Sequence, residues 1–288
     1  MPTPAPPRID LGGRLAALKR ARSRIVMITA YDYPAARVVD DAGVDVVLVG
    51  DSAATTVLGY QSTREVSLEE MLMLTRAVRR GLTRVPMVGD LPYGSYESSD
   101  ARAVESASAF VRAGCDAVKL EGAGPTTDRV RSIVRAGIAV VGHVGLAPQQ
   151  VTTPDGYRAR GRDASGAAAI VADAMALENA GCVAIVVEAV PDPVARAIVE
   201  RVTVPVIGIG AGASTDGQVL VLHDMLGLIA APRAKFVKVF GDLANAMRDA
   251  VSRFADEVRS GEYPGAEHGY PMSDAEQSAF ARLLEARR

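Results

Sequence analysis

Apolar runs that end in a polar residue recur along the chain. One such run fills Val44–Ser52 and stops at a glycine followed by Asp51. A run of this kind is typical of a strand that is buried on both faces of a parallel sheet. The same design recurs in four further segments, Val85–Asp90, Asp116–Glu121, Ile138–His143 and Val183–Glu188. The pattern predicts buried strands with chemically capable side chains at their carboxyl ends.

Helix signals fill the segments around these strands. Ser67 and Glu70 form a capping-box pattern that opens a helix ending near Gly81. The other predicted helices are Leu11–Arg22, a helix from Pro34 to Asp41, one capped by Ser98 or Ser99 that ends at Gly114, one capped by Thr127 that ends at Gly137, Ala164–Gly181, Pro193–Val202 and a long helix over about Lys235–Ser260. Strand and helix signals therefore alternate.

This alternation predicts a parallel sheet, and eight repeats of it favour closure into a (β/α)₈ TIM barrel. The remaining strands are Arg24–Thr29, Val204–Gly210 and an eighth for which Gln218–Asp224 is preferred and Phe236–Phe240 is the alternative. An open doubly wound sheet is the second possibility. No GxGxxG motif follows the first strand, however, and the glycines of Gly208–Gly212 come late and with the wrong spacing.

The segments outside the strands and helices suggest three regions. Residues 1–10 are predicted to form a flexible arm, 11–270 the barrel, and 271–288 an amphipathic helical extension. Two connections stand out. Ala53–Val66 has few helix signals, and Gly145–Asp163 is long and rich in Pro, Gly and Arg, which is typical of a functional lid.

The composition is that of a soluble globular protein, with 49% hydrophobic and 23% charged residues among 288. The net charge of −2 offers no footprint for nucleic acid or an anionic membrane, so we expect small-molecule partners. No apolar run approaches the ~18–20 residues of a membrane span, and no signal peptide is evident, which predicts a cytoplasmic protein. Cys115 and Cys182 begin apolar strands and are expected to be buried thiols.

Polar side chains at the ends of different barrel strands meet at one mouth. The carboxylates of Asp51, Asp90 and Glu121 would then be neighbours. Two carboxylates ~4 Å apart repel by about 4 kcal/mol at an effective dielectric near 20, so such a cluster needs a cation or shared protons. Oxygen ligands without a paired His or Cys favour Mg²⁺. Taken singly, each carboxylate could equally be a helix N-cap or a solvated loop charge.

Three other strand-end residues are candidates for substrate chemistry. Lys119 points to the same side of its strand as Glu121, and neighbouring carboxylates would raise its pKa, which favours binding of a substrate carboxylate over Schiff-base formation. A structural salt bridge to Glu121 is the alternative role. Glu188 follows the most apolar strand and suits general-base work or helix capping, and His143 could donate a hydrogen bond to a substrate oxygen. His223, inside the preferred eighth strand, is expected to be a core histidine.

Several motifs together resemble the ketopantoate hydroxymethyltransferase family. They are TAYDYPAARVVDDAGVDVVLVGDS (Thr29–Ser52), GDLPYGSY (Gly89–Tyr96), AGCDAVKLEG (Ala113–Gly122), GHVGLAPQ (Gly142–Gln149), GYRARGR (Gly156–Arg162), GIGAGASTDGQVLVLHDMLG (Gly208–Gly227) and YPGAEH (Tyr263–His268). The resemblance covers about residues 11–270. It implies a barrel related to the isocitrate lyase and phosphoenolpyruvate mutase group, and a homodecamer of two five-membered rings.

The resemblance also implies a reaction. A hydroxymethyl group passes from 5,10-methylenetetrahydrofolate to 3-methyl-2-oxobutanoate through a Mg-stabilised enolate, which gives 2-dehydropantoate for pantothenate and coenzyme A synthesis. By position in the motifs, Asp51 and Asp90 correspond to Mg²⁺ ligands, with Glu121 in or just outside the coordination shell. The resemblance implies that Ser52 and Lys119 contact the keto acid and that Glu188 accepts its proton. Alternatives are another Mg-dependent keto-acid lyase or aldolase, and a non-catalytic barrel that binds a keto acid.

Overall fold

The computed structural model describes residues 9–153, 156–229 and 234–287. Eight parallel strands close into a barrel, in which each strand pairs with its neighbours in sequence and the last pairs with the first. Their bounds are β1 Ile25–Thr29, β2 Val46–Val49, β3 Met87–Asp90, β4 Ala117–Lys119, β5 Ala139–Gly145, β6 Ala184–Glu188, β7 Val206–Ile209 and β8 Gly217–Leu220. The predicted (β/α)₈ barrel is confirmed, and the open sheet is wrong.

Helices precede, connect and follow these strands along the chain. They are α1 Leu11–Arg20, α2 Tyr33–Ala42, α3 Ala53–Thr56, α4 Leu68–Gly81, α5 Asp100–Arg112, α6 Pro125–Arg135, α7 Ala164–Asn179, α8 Asp192–Val199, α9 Leu222–Met225, α10 Leu243–Ser260 and α11 Asp274–Glu285. The capping box of Ser67 and Glu70 opens α4 as predicted, and Ser99 rather than Ser98 caps α5. Over the ranges that the structure covers, no helix has the length and apolar character needed to cross a membrane.

The period of two along each strand divides the core into two layers. Outward-facing residues such as Val118 and Ile185 pack with the helices, and Cys115 and Cys182 lie buried in this layer as thiols. Inward-facing residues such as Met27 and Ala117 fill the barrel, together with Leu11 and Leu15 of α1. Because apolar side chains fill the interior of the barrel, the polar side chains that project inward lie at the carboxyl ends of the strands.

The eighth strand is shorter than predicted. It ends at Leu220, and the chain turns into α9 because the Leu222 N–H donates to Thr29 Oγ1 at 2.9 Å instead of continuing the ladder. The prediction of a strand over Gln218–Asp224 was therefore wrong at its end, and Phe236–Phe240 is not a strand. His223 lies on α9, half-buried, with its ring 5.3 Å from that of Tyr31.

Three other local predictions need correction. The predicted loop Ala53–Val66 contains α3 and a 3₁₀ turn at Thr63–Glu65 that Ser62 caps. Thr127 lies inside α6, which begins at Pro125 because proline suits the first helical position. The long helix starts at Leu243 and not near Lys235.

The described residues form two compact units that divide between Phe240 and Gly241. The second contains α10 and α11, so the predicted extension is helical. Most of the predicted arm lies outside the described residues. At its end, the Ile9 N–H donates to Asp116 at 2.7 Å and Asp10 caps α1. The boundaries 1–10, 11–270 and 271–288 stay a prediction.

Candidate active site

A cavity of about 180 Å³ opens at the carboxyl ends of the strands. Its lining includes every residue that the sequence singled out as a site candidate, namely Asp51, Ser52, Asp90, Lys119, Glu121, His143 and Glu188. Two larger grooves of about 470 Å³ contain none of these residues. The smaller cavity is the candidate active site because it gathers the ionisable groups.

Strand register explains how the central pair of side chains meets. Asp90 ends β3 and is the register partner of Lys119, which ends β4. Their side chains both point into the barrel, and Lys119 Nζ lies 2.9 Å from Asp90 Oδ1 and 3.7 Å from Glu121 Oε1. Burial alone would lower the pKa of Lys119, but attraction by Asp90, Glu121 and Asp51 raises it above its ordinary value. Lys119 is therefore a charged ammonium ion.

Asp51 lies at the start of the loop after β2, where its backbone N–H donates to Asp90 Oδ2 at 3.0 Å. The pKa of Asp51 is raised well above its ordinary value by burial first, and then by repulsion from Asp90 and Glu121. Burial also raises the pKa of Asp90, although Lys119 opposes this shift. The cavity thus holds more acidic than basic groups and favours an added proton or an added cation.

Glu121 and His143 continue the buried network. The pKa of Glu121 is lowered, since attraction by Lys119 and His143 outweighs the effect of burial. His143 Nδ1 lies 3.2 Å from Glu121 Oε1, and its Nε2 lies 3.3 Å from Glu188 Oε2. Burial and Lys119 would lower the pKa of His143, but these two carboxylates raise it to about 9. His143 is therefore held as an imidazolium between Glu121 and Glu188.

Glu188 is the most exposed member of this network. Its side chain is 16% exposed, against 1–3% for Asp90, Lys119, Glu121 and His143. It stands at the end of β6, opposite Gly145 in the register of β5. A molecule in the cavity can reach its carboxylate without a rearrangement of the buried residues.

Ser52 is oriented by a residue to which the sequence analysis assigned no role. Tyr31 follows β1, and its hydroxyl lies 2.7 Å from Ser52 Oγ. Burial is the largest cause that raises the pKa of Tyr31 to about 12, so its hydroxyl is a neutral donor or acceptor. Its place just after a strand was the signal that could have identified it.

Gln149 is the second residue that sequence reasoning missed. It lies in a 3₁₀ turn, Pro148–Gln150, within the long Gly145–Asp163 connection. Its side-chain amide donates to Asp51 Oδ2 at 2.9 Å, and its backbone N–H donates to Glu121 Oε2 at 2.9 Å. Part of the predicted lid, Pro154 and Asp155, lies outside the described residues.

Within the described part of the chain, no three His, Cys, Asp or Glu side chains lie close enough together to form a ready-made metal cluster. The metal-binding donors that the cavity does contain are mainly the carboxylate oxygens of Asp51, Asp90 and Glu121. The geometry offers a confined, negatively charged cavity with Lys119 at its floor and the accessible carboxylate of Glu188 at its rim. Such a cavity suits acid–base chemistry on a small polar molecule.

Comparisons with known proteins agree on one family. The model of the family described as ketopantoate hydroxymethyltransferase matches residues 12–266. The 3-methyl-2-oxobutanoate hydroxymethyltransferase of Nitratidesulfovibrio vulgaris (strain DP4) is 48% identical, over 93% of this chain and 88% of that protein. The protein of the same name from Ignicoccus hospitalis is 52% identical, over 84% of this chain and 92% of its own length.

Solved structures share the fold at low sequence identity. A 2,3-dimethylmalate lyase, a member of the PEP mutase/isocitrate lyase superfamily, superposes with a TM-score of 0.59 at 20% identity and covers 98% of each chain. A phosphonopyruvate hydrolase gives a TM-score of 0.59 at 15% identity, over 97% of this chain and 99% of that one. With the family match over residues 12–266, the chain belongs to the ketopantoate hydroxymethyltransferase family.

Proposed function

We propose that the protein transfers a hydroxymethyl group from 5,10-methylenetetrahydrofolate to 3-methyl-2-oxobutanoate, giving 2-dehydropantoate. Within the family, the observation that carries this proposal is the cavity, in which a buried ammonium ion, three acidic groups and an accessible carboxylate surround about 180 Å³. The family match favours this reaction over the alternative keto-acid lyase or aldolase. Decameric assembly and a cytoplasmic location stay predictions.

A divalent metal ion suits the acidic side of the cavity. The donors are carboxylate oxygens, which Mg²⁺ prefers, and burial followed by repulsion from Asp90 and Glu121 raises the pKa of Asp51, so a cation beside it would favour the ionised carboxylate. Mg²⁺ usually binds through one or two carboxylates and keeps places for water and substrate, so a ready-made cluster of three is not required. We assign Asp51 and Asp90 to the metal, with Glu121 at or just outside its shell. The ion would polarise the keto group of the substrate.

Lys119 and Ser52 supply the remaining contacts to the keto acid. The charged Lys119 is buried, so a substrate carboxylate that approaches it forms an ion pair with little solvent screening. The Ser52 hydroxyl is fixed by Tyr31 and offers a second hydrogen bond. Together they orient the substrate with its alkyl end away from the floor of the cavity.

Glu188 is the proposed proton acceptor. Its carboxylate lies at the rim, and its Oε2 is 3.3 Å from Nε2 of the His143 imidazolium. Glu188 takes the proton from C3 of the substrate, and the resulting carbanion attacks the one-carbon unit of the folate. A new C–C bond forms, both carbon–nitrogen bonds between the methylene carbon and the folate break, and water supplies the hydroxyl group. The proton from C3 and the second proton of the water end on the two folate nitrogens, which leaves tetrahydrofolate.

The test is turnover by the full chain. We would incubate it with both substrates, with Mg²⁺ or with excess EDTA, and measure 2-dehydropantoate by mass spectrometry. Product that depends on both the folate and the metal is expected. A folded, metal-loaded sample that forms no product would refute the proposed reaction.

A further inference from the structure

Gln149 makes more hydrogen bonds to the site than its position in a loop suggests. The residue is 1% exposed, although it belongs to an irregular connection. Its side-chain nitrogen donates to Asp51 Oδ2 at 2.9 Å and to the Leu91 carbonyl at 3.0 Å. Its side-chain oxygen accepts from the Tyr96 hydroxyl at 2.8 Å. The side-chain amide therefore makes three hydrogen bonds, two as a donor and one as an acceptor.

These partners determine which way the amide points. The Leu91 carbonyl can only accept a hydrogen bond, and so can an ionised Asp51, so the nitrogen of Gln149 must face them. The Tyr96 hydroxyl is then the donor to the amide oxygen. A flipped amide would set an oxygen against Asp51 and lose both donated bonds.

The backbone of the same residue binds the second carboxylate. Gln149 N–H donates to Glu121 Oε2 at 2.9 Å, so one residue bridges Asp51 and Glu121. Its carbonyl in turn accepts from Arg64 at 2.6 Å, and the Arg64 guanidinium lies 3.7 Å over the ring of Tyr93. The segments that follow β2, β3 and β5 are thus tied together at Gln149.

We propose that Gln149 is a positioning residue that fixes the Asp51 and Glu121 carboxylates for metal binding, with Tyr96 setting the orientation of its amide. This inference rests on the proposed function. A carboxylate that lacks such a partner can rotate, and loss of comparable outer-shell partners typically costs 10–100-fold in metal affinity or activity. Gln149 itself touches neither the substrate nor the metal in this role.

The test is Gln149→Met, which keeps the size of the side chain and removes its polar atoms. The matched control is Gln150→Met, the same change at the next residue, whose side chain is exposed. Mn²⁺ is the probe, since it prefers the same oxygen ligands and its free concentration can be followed by electron paramagnetic resonance. We expect about 10–100-fold weaker Mn²⁺ binding for Gln149→Met and unchanged binding for Gln150→Met.

Tyr96→Phe keeps the test valid if Gln149→Met fails to fold. It removes only the hydroxyl that orients the amide, and we expect about 3–10-fold weaker Mn²⁺ binding. Wild-type affinity in Tyr96→Phe, or in a folded Gln149→Met, would overturn the inference, and so would an equal loss in Gln150→Met. Failure of the proposed function is distinct, because the wild-type chain would then form no 2-dehydropantoate while these affinities could still differ.

Discussion

Removal of the buried ammonium ion should destabilise the protein strongly. Lys119→Met leaves Asp90 and Glu121 without the cation that lies 2.9 and 3.7 Å from them. At an effective dielectric near 20 these two contacts amount to about 6 and about 4.5 kcal/mol of attraction. The cost of removing the lysine from water offsets much of this attraction. Removal of one partner from a buried ion pair typically lowers the free energy of unfolding by about 3–5 kcal/mol. We expect a loss of that size in the free energy of unfolding.

The assay is urea denaturation of metal-free protein at neutral pH, followed by circular dichroism, with the exposed Lys235→Met as control. Because the pKa of Lys119 is raised in the folded state, its stabilisation is fully present below its unfolded pKa of ~10.4, which includes neutral pH. The loss should shrink as the pH falls, since Asp51, Asp90 and Glu121 can then take up protons. A loss below about 1 kcal/mol at neutral pH would show that Lys119 does not compensate the carboxylates.

Two further predictions concern stability. Asp40 accepts hydrogen bonds from Thr83 and from the N–H groups of Arg84 and Val85, which outweigh burial and lower its pKa to about 2. Asp40→Asn should therefore cost about 2 kcal/mol above pH 4, and the difference should fade as the pH drops from 4 towards 2; a pH-independent difference in urea titrations would contradict this. Metal should raise the melting temperature, by the equivalent of about 2.7 kcal/mol at 100 times Kd, and EDTA should reverse it. Asp51→Asn should abolish the shift, and a full shift in that variant would remove Asp51 from the metal site.

The strands could be predicted because their signal is local. An apolar run that ends in a polar residue marks both a buried strand and its carboxyl end, so the sequence alone predicts that Asp90, Lys119 and Glu188 lie at one mouth of the barrel. The end of β8 could not be predicted in this way. The run that continues through Leu222 is apolar throughout, and nothing local in it marks the point where Leu222 N–H bonds to the distant Thr29 hydroxyl and α9 begins.

Gln149 shows why part of the site escapes sequence reasoning. Its side-chain partners Asp51, Leu91 and Tyr96 lie 98, 58 and 53 residues away along the chain. No spacing or periodicity connects such positions, and a glutamine after a proline indicates only a turn. The start of α6 is different, since Pro125 was a usable local signal that Thr127 obscured.

The role of Glu188 is tested most directly by exchange at C3 of the keto acid. We would incubate 3-methyl-2-oxobutanoate in D₂O with Mg²⁺ and no folate, and follow the C3 proton by NMR for the wild type and for Glu188→Gln. We expect metal-dependent exchange in the wild type and a 10²–10⁴-fold slower rate in the variant, as is typical for loss of a general base, with Mn²⁺ affinity retained. Exchange at the wild-type rate in Glu188→Gln would contradict its assignment as the proton acceptor.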